Sequence, residues 1–247
     1  MSELFQGEAA LPYALEPADE ADQILVGFPA YRTGVVEPSL WLRNKIGEHK
    51  AHLLLLGADE HSYVGPAQEL RGLRTAVRLI DEVAGELGVA PERVICFGTS
   101  MAASVAMLTG LAYGARAIVL GAPPLALGTL LGGWATEERR TGRKPMTSAI
   151  QFMELARRDG GPDPVDWLDG LIPSLAFECP RPAKVRLFAN PEDWTFPGVS
   201  RFFEERESFP NVDVELDLTD ASSHDKVAEA FYGDFLPRVL SEELATA

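Results

Sequence analysis

Cysteine and histidine are scarce in this chain: 247 residues include two cysteines and four histidines. No C-x-x-C or H-E-x-x-H spacing occurs, so the sequence offers neither a metal-ligand pattern nor a disulfide framework. Cys96 lies in an apolar run and reads as a buried structural thiol. Positive charge is also short. Against 22 Lys and Arg stand 37 Asp and Glu, a formal net charge of -15. Such a surface repels phosphate backbones and anionic lipid, which argues against nucleic-acid and membrane partners; the charge is expected to keep the chain soluble. There is no run of about 18 apolar residues of the kind that spans a bilayer. The opening stretch MSELFQGEAALPYALEPADEAD is acidic and lacks an apolar core, so it does not read as a signal peptide, and a cytoplasmic location is expected. Nothing calls for a cofactor.

What is present is an ordinary globular composition, 46% hydrophobic and 24% charged. The length suits one α/β domain over residues 1–247 and is short for two. Short apolar runs recur at Ile24–Phe28, His52–Leu56, Val94–Phe97, Ala117–Leu120 and Val185–Phe188, as strands buried on both faces require. Val212–Leu218 (VDVELDL) alternates and suits a half-exposed strand near an edge. Helical patterns separate these runs. Pro66 opens one that carries Leu70, Leu73, Val77, Ile80, Val83 and Leu87 and stops near Gly88. Met101–Ala112 is small or apolar all round, as a helix buried against a sheet should be. After His224, residues Val227, Phe231, Phe235 and Val239 share one helical face. This alternation predicts an α/β fold with a doubly wound, mostly parallel sheet. Residues 124–180 contain no strand candidate and are expected to form a helical lid or cap insertion.

The stretch VICFGTSMAAS, Val94 to Ser104, concentrates the chemistry. A serine between an apolar strand and a buried helix serves either as a helix N-cap or as a nucleophile presented on a tight turn. GTSMA also occurs around the serine of subtilisin-like proteases. Here no Pro-His follows it, and no HGTH-like histidine precedes it, so that match is coincidental. The strand, the small flanks Gly98 and Ala102, and the following helix instead resemble the nucleophile elbow of the α/β-hydrolase superfamily. Ala102 replaces the second glycine of G-x-S-x-G.

That resemblance implies a triad in the order serine, acid, histidine, each after a strand. Ser100 is the nucleophile it implies. His224 is the one histidine downstream and stands in TDASSHDKVAEAF, after the last strand candidate. The acid is sought after the preceding strand, in PEDW. Asp193 is the first candidate and Glu192 the second; Asp220 is weaker, and Asp225 is too close in sequence to face His224. The helix behind Ser100 makes the Met101 backbone N–H the first oxyanion donor. A second donor is sought in the loop Gly27–Tyr31. Pro29 has no N–H, so Ala30 is preferred and Tyr31 comes next.

Within the superfamily, FGTSMAASVAMLTGLAYGARAIVLGAPPLALGTLL looks like a bacterial branch with G-[TS]-S-K-G-G, then Tyr-Gly, G-A-P and L-G. Some of its members are associated with capsular polysaccharide assembly or glycoprotein acetylation. Met101-Ala102 stands where that branch often has Lys-Gly, so the likeness implies serine-dependent acyl chemistry and no particular substrate. Three functions follow: a hydrolase of an ester or thioester, an acyltransferase using the same triad, and a non-catalytic partner or scaffold of the same fold. The first two take a small-molecule or carrier-linked acyl substrate. The basic cluster Arg139, Arg140, Arg143 and Lys144 reads as a solvated face or as a receiver for an anionic carrier. Trp134, Phe152, Met153 and Trp167 read as pocket lining or core. Oligomeric state is not legible.

Overall fold

The computed structural model describes residues 3–8, 10–28, 51–57, 70–143, 149–150, 153–154, 157 and 163–245. Eight strands form one sheet: β1 (Glu3–Gln6), β2 (Ala10–Glu16), β3 (Ile24–Gly27), β4 (His52–Leu56), β5 (Val94–Thr99), β6 (Ala117–Gly121), β7 (Ala183–Ala189) and β8 (Val212–Leu218). Their order is β1-β2-β4-β3-β5-β6-β7-β8. β3 to β8 run parallel, and the hairpin β1–β2 joins antiparallel through the β2–β4 pair. The helices are α1 (Arg71–Leu87), α2 (Met101–Tyr113), α3 (Leu127–Thr141), α4 (Pro164–Phe177), α5 (Phe196–Glu204), α6 (His224–Ala230) and α7 (Leu236–Ala245).

Side-chain alternation divides the sheet into two apolar faces. Ile24, Val26, Leu54, Leu56, Val94, Cys96, Ile118 and Leu120 point to the layer that holds α1 to α5. Leu25, Leu53, Leu55, Ile95, Phe97, Ala117 and Val119 point to the opposite layer, built from Phe231, Phe235, Leu236, Val239 and Leu240. Continuous apolar runs are therefore required in the central strands, because both pleat directions are buried. The α/β, doubly wound, mostly parallel architecture is as expected.

Two elements escaped the apolar-run reading. β1 and β2 close one edge of the sheet and are only half buried, so they carry no continuous hydrophobic signal. Pro12 lies inside β2, where its missing N–H is tolerated and its carbonyl accepts from Gly57 N–H at 2.8 Å. The expected helix start at Pro66 lies outside the described residues; α1 begins at Arg71 and ends at Gly88 with φ 68. The alternating β8 does lie at an edge, with Asp213 exposed and Glu215 and Asp217 half buried.

The last helical segment also differs from a plain α-helix. Val227, Phe231, Phe235 and Val239 are spaced by four, which drifts about 40° per step on a regular α-helix. A π turn over Phe231–Phe235 intervenes, and all four side chains are buried. The wider turn keeps them on one face.

Between β6 and β7, the described residues are helical or loop. Asp169 of α4 caps α3. One carboxylate oxygen accepts from Gly128 N–H at 2.6 Å and Thr129 N–H at 3.0 Å, and the other accepts the Thr129 hydroxyl at 2.6 Å. Gly128 is required there, since a Cβ would stand 2.0 Å from the Val165 carbonyl oxygen. Trp134, Met153 and Trp167 pack against the α1–α5 core, which accounts for them as packing; Phe152 lies outside the described residues. Arg139 and Arg140 are exposed at the end of α3, where Arg140 pairs with Glu137, and Arg143 is exposed just beyond; Lys144 lies outside the described residues. Among the described residues, no helix is long and apolar enough to cross a membrane.

Phe235 stacks on Phe188 with ring centroids 4.6 Å apart and is buried, whereas Phe177 is 62% exposed. Phe235→Ala is expected to lower unfolding free energy by roughly 3–5 kcal/mol. Phe177→Ala should change it by less than about 0.5 kcal/mol. Urea midpoints of the two variants check the contrast.

Candidate active site

The register of the parallel strands brings several exits to one rim. Thr99 pairs with Gly121, Gly121 with Phe188, and Ala189 with Leu218. Ser100, Ala122, Asn190 and Thr219 therefore leave the sheet within one residue of the same level, and three of these exits lead to the sequence-predicted serine, acid and histidine.

Ser100 sits between β5 and α2 with φ 55 and ψ -136, a backbone state an L-residue rarely adopts. Such strain costs on the order of 1–3 kcal/mol and persists only where surrounding contacts enforce it. Here the Ser100 N–H donates to the Gly121 carbonyl at 2.8 Å. Gly98 lets strand and helix approach closely: a Cβ there would lie 2.7 Å from the Ala102 carbonyl oxygen. Ala102 itself is buried without difficulty, so a methyl fits where the elbow pattern has its second glycine. The Ser100 side chain makes no capping bond to α2, which disposes of the N-cap reading. Its hydroxyl lies 2.8 Å from His224 Nε2.

His224 opens α6, where Ser223 is the N-cap and accepts the Lys226 N–H at 3.4 Å. Its Nδ1 lies 2.9 Å from Asp193 Oδ2. With the proton on Nδ1, the ring donates to Asp193 and accepts from the Ser100 hydroxyl. The acid side chain is 2% exposed and the imidazole 23%. Asp193 Oδ1 accepts from the Thr195 N–H at 2.8 Å and the Thr195 hydroxyl at 2.7 Å. Burial works against its charge, but the Thr195 backbone and hydroxyl donors, together with His224, outweigh it and hold the carboxyl below the usual Asp value.

The structure thus brings Ser100, His224 and Asp193 into one hydrogen-bonded chain. Glu192, Asp220 and Asp225 are exposed, and none supplies the carboxylate at His224 Nδ1. Met101 is the first residue of α2, so its N–H has no carbonyl one turn back within the helix. Ala30 and Tyr31 lie outside the described residues. Among the described residues, no group of three or more His, Cys, Asp or Glu could hold a metal ion. A cavity of about 600 Å³, bordered by Arg116, Lys184, Arg206 and Asn211, lies where β6 to β8 begin, at the rim opposite Ser100.

Sequence reasoning missed three residues around this chain. Asn190 is buried; its side-chain amide donates to the Ala221 carbonyl, and its Oδ1 accepts from the Glu192 N–H at 2.6 Å. It ties the acid loop to the histidine loop. Thr195 was legible as the threonine two after an aspartate, a spacing that favours a local turn bond. Trp194 stands beside the acid in sequence and tilts over the His224 ring, with centroids 5.0 Å apart and planes at 35°. Nothing in the string PEDW signals that contact.

No protein family matches the chain by its sequence profile, and no curated protein matches it by sequence. Solved structures do resemble it. A chain of the Glycosylation Associate Protein (Gap123) complex from Streptococcus agalactiae superposes with TM-score 0.69 at 17% identity, over 94% of this chain and 44% of that one. The present chain therefore spans less than half of that protein's length. The capsule O-acetyltransferase of Neisseria meningitidis serogroup A aligns with TM-score 0.66 at 13% identity, over 94% of this chain and 91% of its own. Thermogutta terrifontis esterase 2 gives TM-score 0.61 at 16% identity, over 98% and 94%. At these identities the likeness establishes the fold, which is α/β-hydrolase-like. The neighbours include proteins of the capsule-acetylation and glycosylation kind that the elbow sequence resembles.

Asp193 gains stability from its lowered pKa. That contribution is present above the unfolded value of about 3.9 and is lost as pH falls through the lower folded value. Thr195→Val removes one donor and moves the folded value up towards ordinary. Stability measured by denaturation between about pH 2 and 6 should then fall less steeply on acidification in Thr195→Val than in the parent. Equal slopes would show that the hydroxyl does not hold the charge.

Proposed function

We propose that the protein is a serine-dependent hydrolase of an ester or thioester. The hydrogen-bonded chain from Asp193 through His224 to the strained Ser100 carries this reading. In the first half-reaction, Ser100 Oγ attacks the acyl carbon while its proton passes to His224 Nε2. Asp193 stabilises the imidazolium and fixes the ring. The Met101 N–H, at the positive end of α2, meets the oxygen that gains negative charge. The tetrahedral species collapses, the bond to the leaving alcohol or thiol breaks, and that group takes the proton from His224. In the second half-reaction, water gives a proton to His224 and attacks the acyl-enzyme. Collapse returns the proton to Ser100 Oγ and releases the acid.

An alcohol can replace water in the second half-reaction, which makes the protein an acyltransferase. One observation favours this second reading: the chain aligns with 91% of the capsule O-acetyltransferase of Neisseria meningitidis serogroup A. A non-catalytic partner role explains the fold but not why Asp193 and His224, from two other loops, line up behind a serine on a strained turn. A small-molecule or carrier-linked acyl donor suits either active reading.

A fluorophosphonate should label the wild type and leave Ser100→Ala unlabelled. Turnover of short p-nitrophenyl esters should fall by roughly 10³-fold or more in His224→Ala. A product that forms only when an alcohol is added separates transfer from hydrolysis. An unlabelled wild type overturns the nucleophile assignment.

A further inference from the structure

Four large apolar side chains are exposed among the described residues: Leu4, Phe177, Trp194 and Leu218. Of these, Trp194 stands next to Asp193 in the chain and against His224 in space. The residue is 49% exposed. The loop that carries it does not need an indole for its own stability. Asn190 and Thr195, both buried, fix the turn through the amide, carboxylate and hydroxyl bonds described above. The ring is free to meet something from outside while one side remains against the imidazole.

The direction of proton transfer says what that is. His224 Nε2 exchanges its proton with the oxygen of the leaving group in the first half-reaction and with that of the acceptor in the second. Both groups must approach on the histidine side of Ser100, away from the acyl chain. We propose that Trp194 forms the wall of the leaving-group and acceptor subsite and selects an alcohol borne on a ring. A flat aromatic ring, or the apolar C–H face of a saturated ring such as a pyranose, covers the open part of an indole where a short linear chain cannot. This rests on the nucleophile reading of Ser100 and specifies which substrates that site takes.

The test compares Trp194→Ala, Trp194→Leu and Trp194→Phe with wild type on three acetate esters: a phenyl ester, an acetylated methyl pyranoside and ethyl acetate. The rate of labelling by a small fluorophosphonate reports on Ser100 and His224 separately. Expected is a roughly tenfold loss of kcat/KM for the ring-bearing esters in Trp194→Ala and Trp194→Leu. Ethyl acetate turnover and labelling should fall clearly less than this, so that the ratio of ring-bearing to ethyl ester turnover drops, and Trp194→Phe should recover much of the ratio. Loss confined to the phenyl ester assigns the subsite to planar rings, and loss confined to the pyranoside assigns it to sugars. Equal loss on all three esters, with slowed labelling or a displaced pH profile, overturns the subsite and leaves Trp194 as a support for the imidazole. No loss on any ester also overturns it. If wild type is not labelled at all, the nucleophile reading fails and this inference with it; a labelled wild type with indifferent variants sinks the subsite alone.

Discussion

The backbone of Ser100 is the constraint on which the rest of the site depends. A residue at φ 55 and ψ -136 is held against its own preference. The forces that hold it come from the largest features of the fold. The Gly121 carbonyl fixes the turn from the neighbouring strand. The missing side chain at Gly98 lets β5 and α2 close on one another. Released from that grip, the serine would be an ordinary helix cap, with its hydroxyl bent back on the helix that follows. Under it, the hydroxyl has no local partner and meets an imidazole supplied from 124 residues away.

Much of this was legible in the chain because it depends on periodicity and order. The central strands are apolar without interruption, and both of their faces are buried. The resemblance to the α/β-hydrolase elbow implied a serine, an acid and a histidine, each trailing a strand; with the strands legible, that order pointed to Ser100, to Asp193 ahead of Glu192, and to His224, and the structure brings Ser100, Asp193 and His224 together. What was not legible depends on edges and on contacts across loops. β1 and β2 have weak patterns because one side of each faces solvent. Asn190 joins two loops through backbone groups, which leave no trace in side-chain spacing. The choice between Asp193 and Glu192 turned on a single residue step within one turn, where geometry decides and composition does not. The π turn was hidden in a spacing of four that reads as a helix until the accumulated rotation is counted.

The structural neighbours share this fold at 13–17% identity and include a glycosylation-associated protein, a capsule O-acetyltransferase and an esterase. That is expected where a fold supplies a positioned nucleophile and leaves the choice of acceptor to the surroundings of the histidine. Under the proposed function, the Ser100–His224–Asp193 chain sets what kind of bond is made and broken, and the exposed groups beside it, such as Trp194, are where a choice of acceptor would be made.

The outer strand β8 carries one more consequence. An unpaired strand offers a ladder of free amide and carbonyl groups, an open template for any similar chain. On β8 the residues Asp213, Glu215 and Asp217 line one face at every second position, and Arg186 and Arg238 draw two of them into ion pairs on the inner side. A second copy arriving edge-on would bring its own row of carboxylates against this one. The alternation that marks the strand as peripheral thus also places charged side chains beside its open edge, the kind of feature that disfavours edge-to-edge pairing.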